Sequence, residues 1–179
     1  NIESYIGKPR FTHNLVYDKE QIGVVNGLAY TAFGGDTLSI EVTFYKGKGQ
    51  LVLTGKLGDV MKESAMTALS FLKSHASEYN INPKIFEEND FHVHVPEGAV
   101  PKDGPSAGVT LATAILSAAT NQYVRKDVGM TGEITLRGRV LPVGGLKEKI
   151  LAAHRAGIDI VIVPEDNRKN IEEIPERIK

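Results

Sequence analysis

From Ser106 to about Ala119 the chain is built almost wholly from Ala, Val, Leu, Ile, Thr and Ser. A helix of that composition has no broad polar stripe to turn toward water, so other elements must enclose it on most sides. Its apolar run, around Val109 to Ala119, is too short and too rich in Thr and Ala to span a bilayer. The fold must therefore wrap protein layers around one central helix.

The chain has the material to do so. At 179 residues, with 41% apolar and 24% charged residues, it has the length and composition of one globular domain. Lys and Arg number 21 against 22 Asp and Glu, leaving a net charge of -1, so no broad field points to nucleic acid. No membrane partner is indicated either. With no cysteine, disulfides, thiol catalysis and Cys-type zinc sites are excluded. No signal peptide opens the chain, and its start at Asn1 suggests a piece excised from something longer.

Residues 1–20 read as an entry segment or linker from a preceding module, and 21–179 as the domain, whose native end can lie beyond Lys179. From Ile22 the pattern turns to strand, with Val24-Val25, Leu28 to Tyr30, a turn at Gly34-Gly35-Asp36, then alternating Leu38 to Phe44. A second turn at Lys46 to Gly49 leads to Leu51–Leu53, and the whole reads as an antiparallel meander. Met61, Ala65, Ala68, Leu69, Leu72, Ala76 and Tyr79 then form one helical stripe, with Asp59 as its expected cap. Phe91 to Val95 is a strand, and Pro96 to Pro105 a loop before the central helix. A hairpin around Arg137-Gly138, a helix from Leu146 to Ala156, a buried strand from Ile158 to Val163 and a solvated charged helix after Pro164 complete the chain. This order does not repeat βαβ units cleanly, so an α+β, mixed α/β single domain is expected.

The chemistry gathers at two places. In Pro101-Lys-Asp-Gly-Pro-Ser106-Ala-Gly108 the prolines and Gly104 restrict a loop that delivers Ser106 to a helix start. Unpaired N–H groups and the positive helix end there would suit an oxyanion. Asp103, with Gly104 and Pro105, would shape that loop, and the small Ala107 and Gly108 would leave room for a substrate chain. The same loop is also compatible with Ser106 as a plain helix cap, or with a phosphate cradle.

The second place is the helix that opens at Gly144-Gly-Leu-Lys-Glu-Lys149. At about 100° per residue, Leu146, Ile150, Ala153 and Gly157 form the core face, and Lys149 lies beside it among Ala152, Ala153 and Ala156. Lys147 points elsewhere. A Lys149 amine desolvated there would lose proton affinity and become usable as a base near neutral pH, whereas one that snorkels along the helix to water would stay charged. Thr131, just before a strand, carries a short hydroxyl that could hydrogen-bond and orient that amine. His92 and His94 share one strand face, which fits a structural or substrate-lining role better than a metal site, since no third ligand has suitable spacing.

Taken together, Pro101 to Gly108, Met130-Thr-Gly-Glu-Ile-Thr-Leu-Arg-Gly138 and Leu141-Pro-Val-Gly-Gly-Leu-Lys-Glu-Lys149 resemble the proteolytic domain of the Lon ATP-dependent proteases, bacterial and mitochondrial type. The likeness runs from roughly Gly27 to Asn167. It implies a serine endopeptidase with a Ser-Lys dyad, in which Ser106 is the nucleophile, Lys149 the general base and Thr131 the lysine's hydrogen-bond partner. It further implies a six-membered ring fed with unfolded or damaged proteins by an ATP-driven unfoldase, in protein quality control, the stress response and regulatory proteolysis. The expected compartment is the cytoplasm, or the mitochondrial matrix of a eukaryote.

The ATPase module is not in this chain, so ATP and Mg²⁺ are expected only on that module and no cofactor on this domain. Gly49 to Leu57 has the look of a phosphate loop, but it is one residue too long and ends in Leu where Ser or Thr should hold the metal, so it reads as strand and turn. Two further readings remain open: a non-catalytic scaffold used for assembly, and a phosphate-binding loop of a small-molecule kinase.

Overall fold

The computed structural model describes residues 21–96 and 104–179; the entry segment, residues 1–20, lies outside the described residues. A six-stranded sheet with order β3-β4-β2-β1-β5-β8 forms the middle layer. Its strands are β1 (Val24–Thr31), β2 (Gly34–Lys46), β3 (Leu51–Thr54), β4 (Asn89–His94), β5 (Val128–Met130) and β8 (Ile160–Ile162). A two-stranded ribbon pairs β6 (Glu133–Ile134) with β7 (Val140–Leu141). The helices are α1 (Asp59–Ser74), α2 (Lys84–Glu88), α3 (Gly108–Thr120), α4 (Leu146–Arg155) and α5 (Arg168–Ile171). The expected mixed α/β class is the class observed.

β1 and β2 form the antiparallel hairpin that alternation suggested, but its turn is at Ala32-Phe33, not at Gly34 to Asp36. Thr31 explains the shift. Its hydroxyl accepts from the Phe33 N–H at 3.1 Å and donates to the Gly34 carbonyl at 3.0 Å, closing the turn two residues earlier. β3 departs from the meander altogether. It lies at the far edge and pairs in parallel with β4, which is inserted between β3 and β2. The crossover through α1 makes this possible, because a parallel neighbour needs a long connection. Gly49 to Leu57 is strand and turn, as expected.

The main core lies on one face of the sheet. The α1 stripe Met61, Ala65, Ala68, Leu69 and Leu72 meets Leu111, Ala114, Ile115 and Ala118 of α3 over Val25, Ile40, Val42, Phe91 and Val93. α3 is enclosed as its composition demanded, with Leu111, Ala114 and Ile115 fully buried. Asp59 is the first residue of α1 rather than its cap; Gly58 stands at the cap and no side chain bonds there. The stripe's last positions belong to a separate 3-10 turn, Ala76–Tyr79.

α4 covers the other face. Gly35 and Ile40 are an odd number of residues apart on β2, so they face opposite ways, and a Cβ at Gly35 would lie 2.0 Å from the Glu148 carbonyl oxygen. β8 is not the buried strand expected from Ile158 to Val163. It is the sheet's other edge, and Ile160 and Ile162 are substantially exposed. The charged run after Pro164 is a 3-10 turn and the short α5 rather than one long helix. Among the described residues, no helix is long and apolar enough to cross a membrane.

The close seating of α4 on β2 gives a direct test. Gly35→Ala should lower stability by about 1–3 kcal/mol, because backbone rather than a flexible side chain must move. Gly144→Ala, where a Cβ would meet nothing within 4 Å, should change it little. Equal urea midpoints for the two variants would refute the contact.

Candidate active site

Three segments far apart in sequence meet beyond the carboxyl end of β5. The first is the turn Gly104 to Ala107. Ser106 stands two residues before α3, not on its first residue, and Ala107 occupies the cap position with no side-chain bond. Ser106 is therefore not a helix cap. Its position is set from behind: its carbonyl accepts the Gly132 N–H at 2.8 Å, and the Val109 N–H donates to the Gly132 carbonyl at 3.0 Å. The turn is thus stitched to the β5–β6 connection by a reciprocal pair of bonds. The small residues after the serine serve this packing. Ala107 is buried, and a Cβ at Gly108 would lie 2.8 Å from the Ile134 nitrogen and 3.2 Å from Ser64 Oγ. The space they make is filled by β6 and α1, not left for a substrate.

The helix start is also less open to an anion than its sequence suggested. The Gly108 N–H already donates to Pro105 at 3.2 Å, and the Val109 N–H is spent on Gly132. Asp103, expected to shape this loop, lies outside the described residues.

The second segment supplies Thr131, just past β5 and 1% exposed. Its N–H donates to the Ile162 carbonyl of β8 at 3.1 Å. The third is α4, whose buried residues are Leu146, Lys149, Ala152 and Ala153. Lys149 is 2% exposed while Lys147 is exposed, so the lysine that the helix wheel selected is the one turned inward. The buried arc is centred closer to Lys149 than expected, since Ile150 is only half-buried and Gly157 is exposed.

Lys149 Nζ donates to Thr131 Oγ1 at 3.2 Å, and the Thr131 hydroxyl donates to the Ser106 carbonyl at 3.4 Å. The expected lysine–threonine bond is present. Lys149 has no salt bridge among the described residues. Burial pushes its amine from 10.5 down to about 8, because a desolvated ammonium has lost its water without gaining a counter-charge.

Ser106 and Lys149 line one cavity of about 1010 Å³, together with Gly104 and Pro105. Their shared cavity is the geometric link between them, for the amine's hydrogen bond goes to Thr131. The arrangement puts a hydroxyl, and an amine that can be neutral near physiological pH, on one concave surface. Tyr30, Phe33 and Leu38 of the β1–β2 hairpin and the Pro142–Gly145 loop complete much of the wall. Sequence reasoning missed these residues, although Gly144-Gly145 before a helix was a usable sign of bare backbone. His92 and His94 are elsewhere. They share the expected strand face, but both rings bond to Thr54 Oγ1, His92 Nε2 at 2.8 Å and His94 Nδ1 at 2.6 Å. Neither is among the described residues that line the cavity, and through Thr54 they tie β4 to β3. No cluster of three or more metal-ligating side chains occurs among the described residues.

The sequence matches a family model described as the Lon protease (S16) C-terminal proteolytic domain over residues 1–179. It is 61% identical to the Lon protease of Brevibacillus choshinensis over 99% of this chain and 23% of that protein. It is 60% identical to Lon protease 1 of Bacillus subtilis strain 168, over 100% of this chain and 23% of that protein. The Lon protease of the aster yellows witches'-broom phytoplasma is 59% identical, with the same coverage of both. The chain thus spans about a quarter of the length of these relatives.

The lowered amine has a signature in stability. Between about 8 and 10.5 the unfolded chain holds a proton on Lys149 that the folded chain lacks. Stability should rise with pH through that window and gain no slope from this group below it. Lys149→Met should flatten the rise in urea midpoints between pH 8 and pH 10. A slope in the variant equal to that of the parent would show that the amine ionises as it does in water.

Proposed function

The chain belongs to the Lon protease (S16) C-terminal proteolytic-domain family, and from that premise we propose that it cuts peptide bonds with Ser106 as nucleophile and Lys149 as its base. The observation that carries this reading is the buried Lys149 amine, lowered to about 8, on the wall of the cavity that holds Ser106. Neutral Lys149 takes the proton from Ser106 Oγ as that oxygen bonds to the scissile carbonyl carbon. The main-chain N–H groups of the Ser106–Ala107 turn, ahead of the already paired Gly108 and Val109, hold the oxyanion. The resulting ammonium gives its proton to the departing amine as the C–N bond breaks. Water then attacks the acyl-enzyme, losing a proton to the same lysine, and Ser106 Oγ leaves and regains its proton.

Thr131 orients the base in this scheme. With its hydrogen donated to the Ser106 carbonyl, its oxygen is turned to the amine, which fixes the direction of Nζ. The substrates are unfolded or damaged proteins, delivered by an ATP-driven unfoldase module elsewhere in the full-length protein and cut inside a hexameric ring. ATP and Mg²⁺ belong to that module; the hydrolysis just described uses only side chains and backbone of this chain. The setting is cytoplasmic protein quality control and regulatory proteolysis, or the mitochondrial matrix in a eukaryote.

Within the full-length ring, Ser106→Ala should slow cleavage of a fluorogenic peptide by at least ~100-fold. Equal rates in the two rings would overturn the serine's role. Lys149→Arg should be comparably impaired, because a guanidinium stays protonated. The kcat/KM of the parent should climb with pH through a midpoint near the Lys149 value of about 8. Thr131→Ala should cost roughly tenfold in kcat and Thr131→Ser should restore most of it; a silent Thr131→Ala would remove its orienting role.

A further inference from the structure

The loop joining β7 to α4 forms one wall of the Ser106–Lys149 cavity. It belongs to no strand, yet Val143 is held as if it had a strand beside it. Its N–H donates to Asn167 Oδ1 at 2.9 Å, and Asn167 Nδ2 donates back to the Val143 carbonyl at 2.9 Å. The other Nδ2 hydrogen goes to Asn170 Oδ1 at 2.9 Å. A carboxamide carries the donor and acceptor of a peptide group, so a single side chain stands in for a neighbouring strand. Asn167 is 3% exposed, in the middle of a charged and otherwise mostly solvated stretch. Its own N–H is tied to the Pro164 carbonyl at 3.0 Å, which anchors the clamp at its base.

The clamp dictates which way the wall faces. In a trans peptide the C=O of one residue and the N–H of the next point to opposite sides. Since the Val143 carbonyl is turned to Asn167, the Gly144 N–H is turned away from it. Gly144 is exposed, and a Cβ there would meet nothing within 4 Å. The cavity wall at this point is therefore bare backbone with open space in front of it. At the next residue, Gly145 has φ 66, and a Cβ would lie 2.9 Å from the Tyr30 ring, so only glycine fits there.

We infer that Asn167 is a positioning residue for substrate binding, its carboxamide holding the 142–145 wall so that the Gly144 main chain is presented to the backbone of an extended peptide. This rests on the peptidase reading above and adds the surface along which the peptide lies. The hydrogen bonds of Asn167 go to Val143, Asn170 and Pro164, and none to Ser106 or Lys149. Loss of the clamp should weaken peptide capture and leave the proton chemistry as it was.

In the full-length protein, Asn167→Ala should raise KM for a fluorogenic peptide roughly tenfold, with kcat within about twofold of the parent. The pH midpoint of kcat should stay where the parent has it. Asn167→Asp keeps the shape and the acceptor for the Val143 N–H but sets a carboxylate oxygen against the Val143 carbonyl and Asn170 Oδ1, so it should raise KM at least as much. It also provides the test should the alanine variant fold poorly. An unchanged KM in a folded variant, or a fall in kcat alone, would overturn the inference and make the clamp merely structural. Ser106→Ala run in parallel separates the two ideas: if that variant still cuts, the peptidase assignment fails, whatever Asn167 does.

Discussion

One backbone carbonyl, that of Ser106, joins the parts of the molecule on which its chemistry depends. It accepts from the Gly132 amide and from the Thr131 hydroxyl, and that hydroxyl in turn receives the Lys149 amine. The turn before α3, the end of β5 and the first turns of α4 are thereby fixed to one point. The helices approach from opposite faces of the sheet, and only beyond a strand end can groups from both sides meet. β5 is short enough to provide that opening, running only from Val128 to Met130. The cost of burying an amine is met by the same geometry, which gives Nζ a hydroxyl acceptor without the carboxylate that would keep it charged.

Much of this was readable from the chain because it followed from local rules. Composition alone required α3 to be enclosed, and the helical period alone turned Lys149 inward and Lys147 outward. The strand alternation at Phe91, Val93 and Val95 likewise told which face of β4 is buried. What escaped were facts about neighbours. No pattern in Leu51–Thr54 says that β4 will come between it and β2, because pairing order depends on where a crossover returns. The hydrophobicity of Ile160–Ile162 is the same whether the strand lies inside a sheet or at its edge.

The small residues after the serine carry the clearest lesson. Smallness in a sequence marks close approach without saying of what. At Gly108 the approaching group is the Ile134 backbone, whereas at Gly144 nothing approaches at all. Asn167 was hidden for the converse reason. Polar residues in a charged run read as solvated, and its burial comes entirely from a partner loop more than twenty positions earlier.

The parallel pairing of β1 with β5 brings Asn26 beside Gly129, and α4 seats its Glu148 carbonyl against Gly35. Such contacts close very long loops and form late in a folding chain. During synthesis from the amino end, Ser106 is made well before Lys149, and the sheet segment that receives α4 is made before either. The serine therefore waits without its amine until α4 has emerged and docked. The order of the chain keeps the two groups apart until there is a folded wall around them.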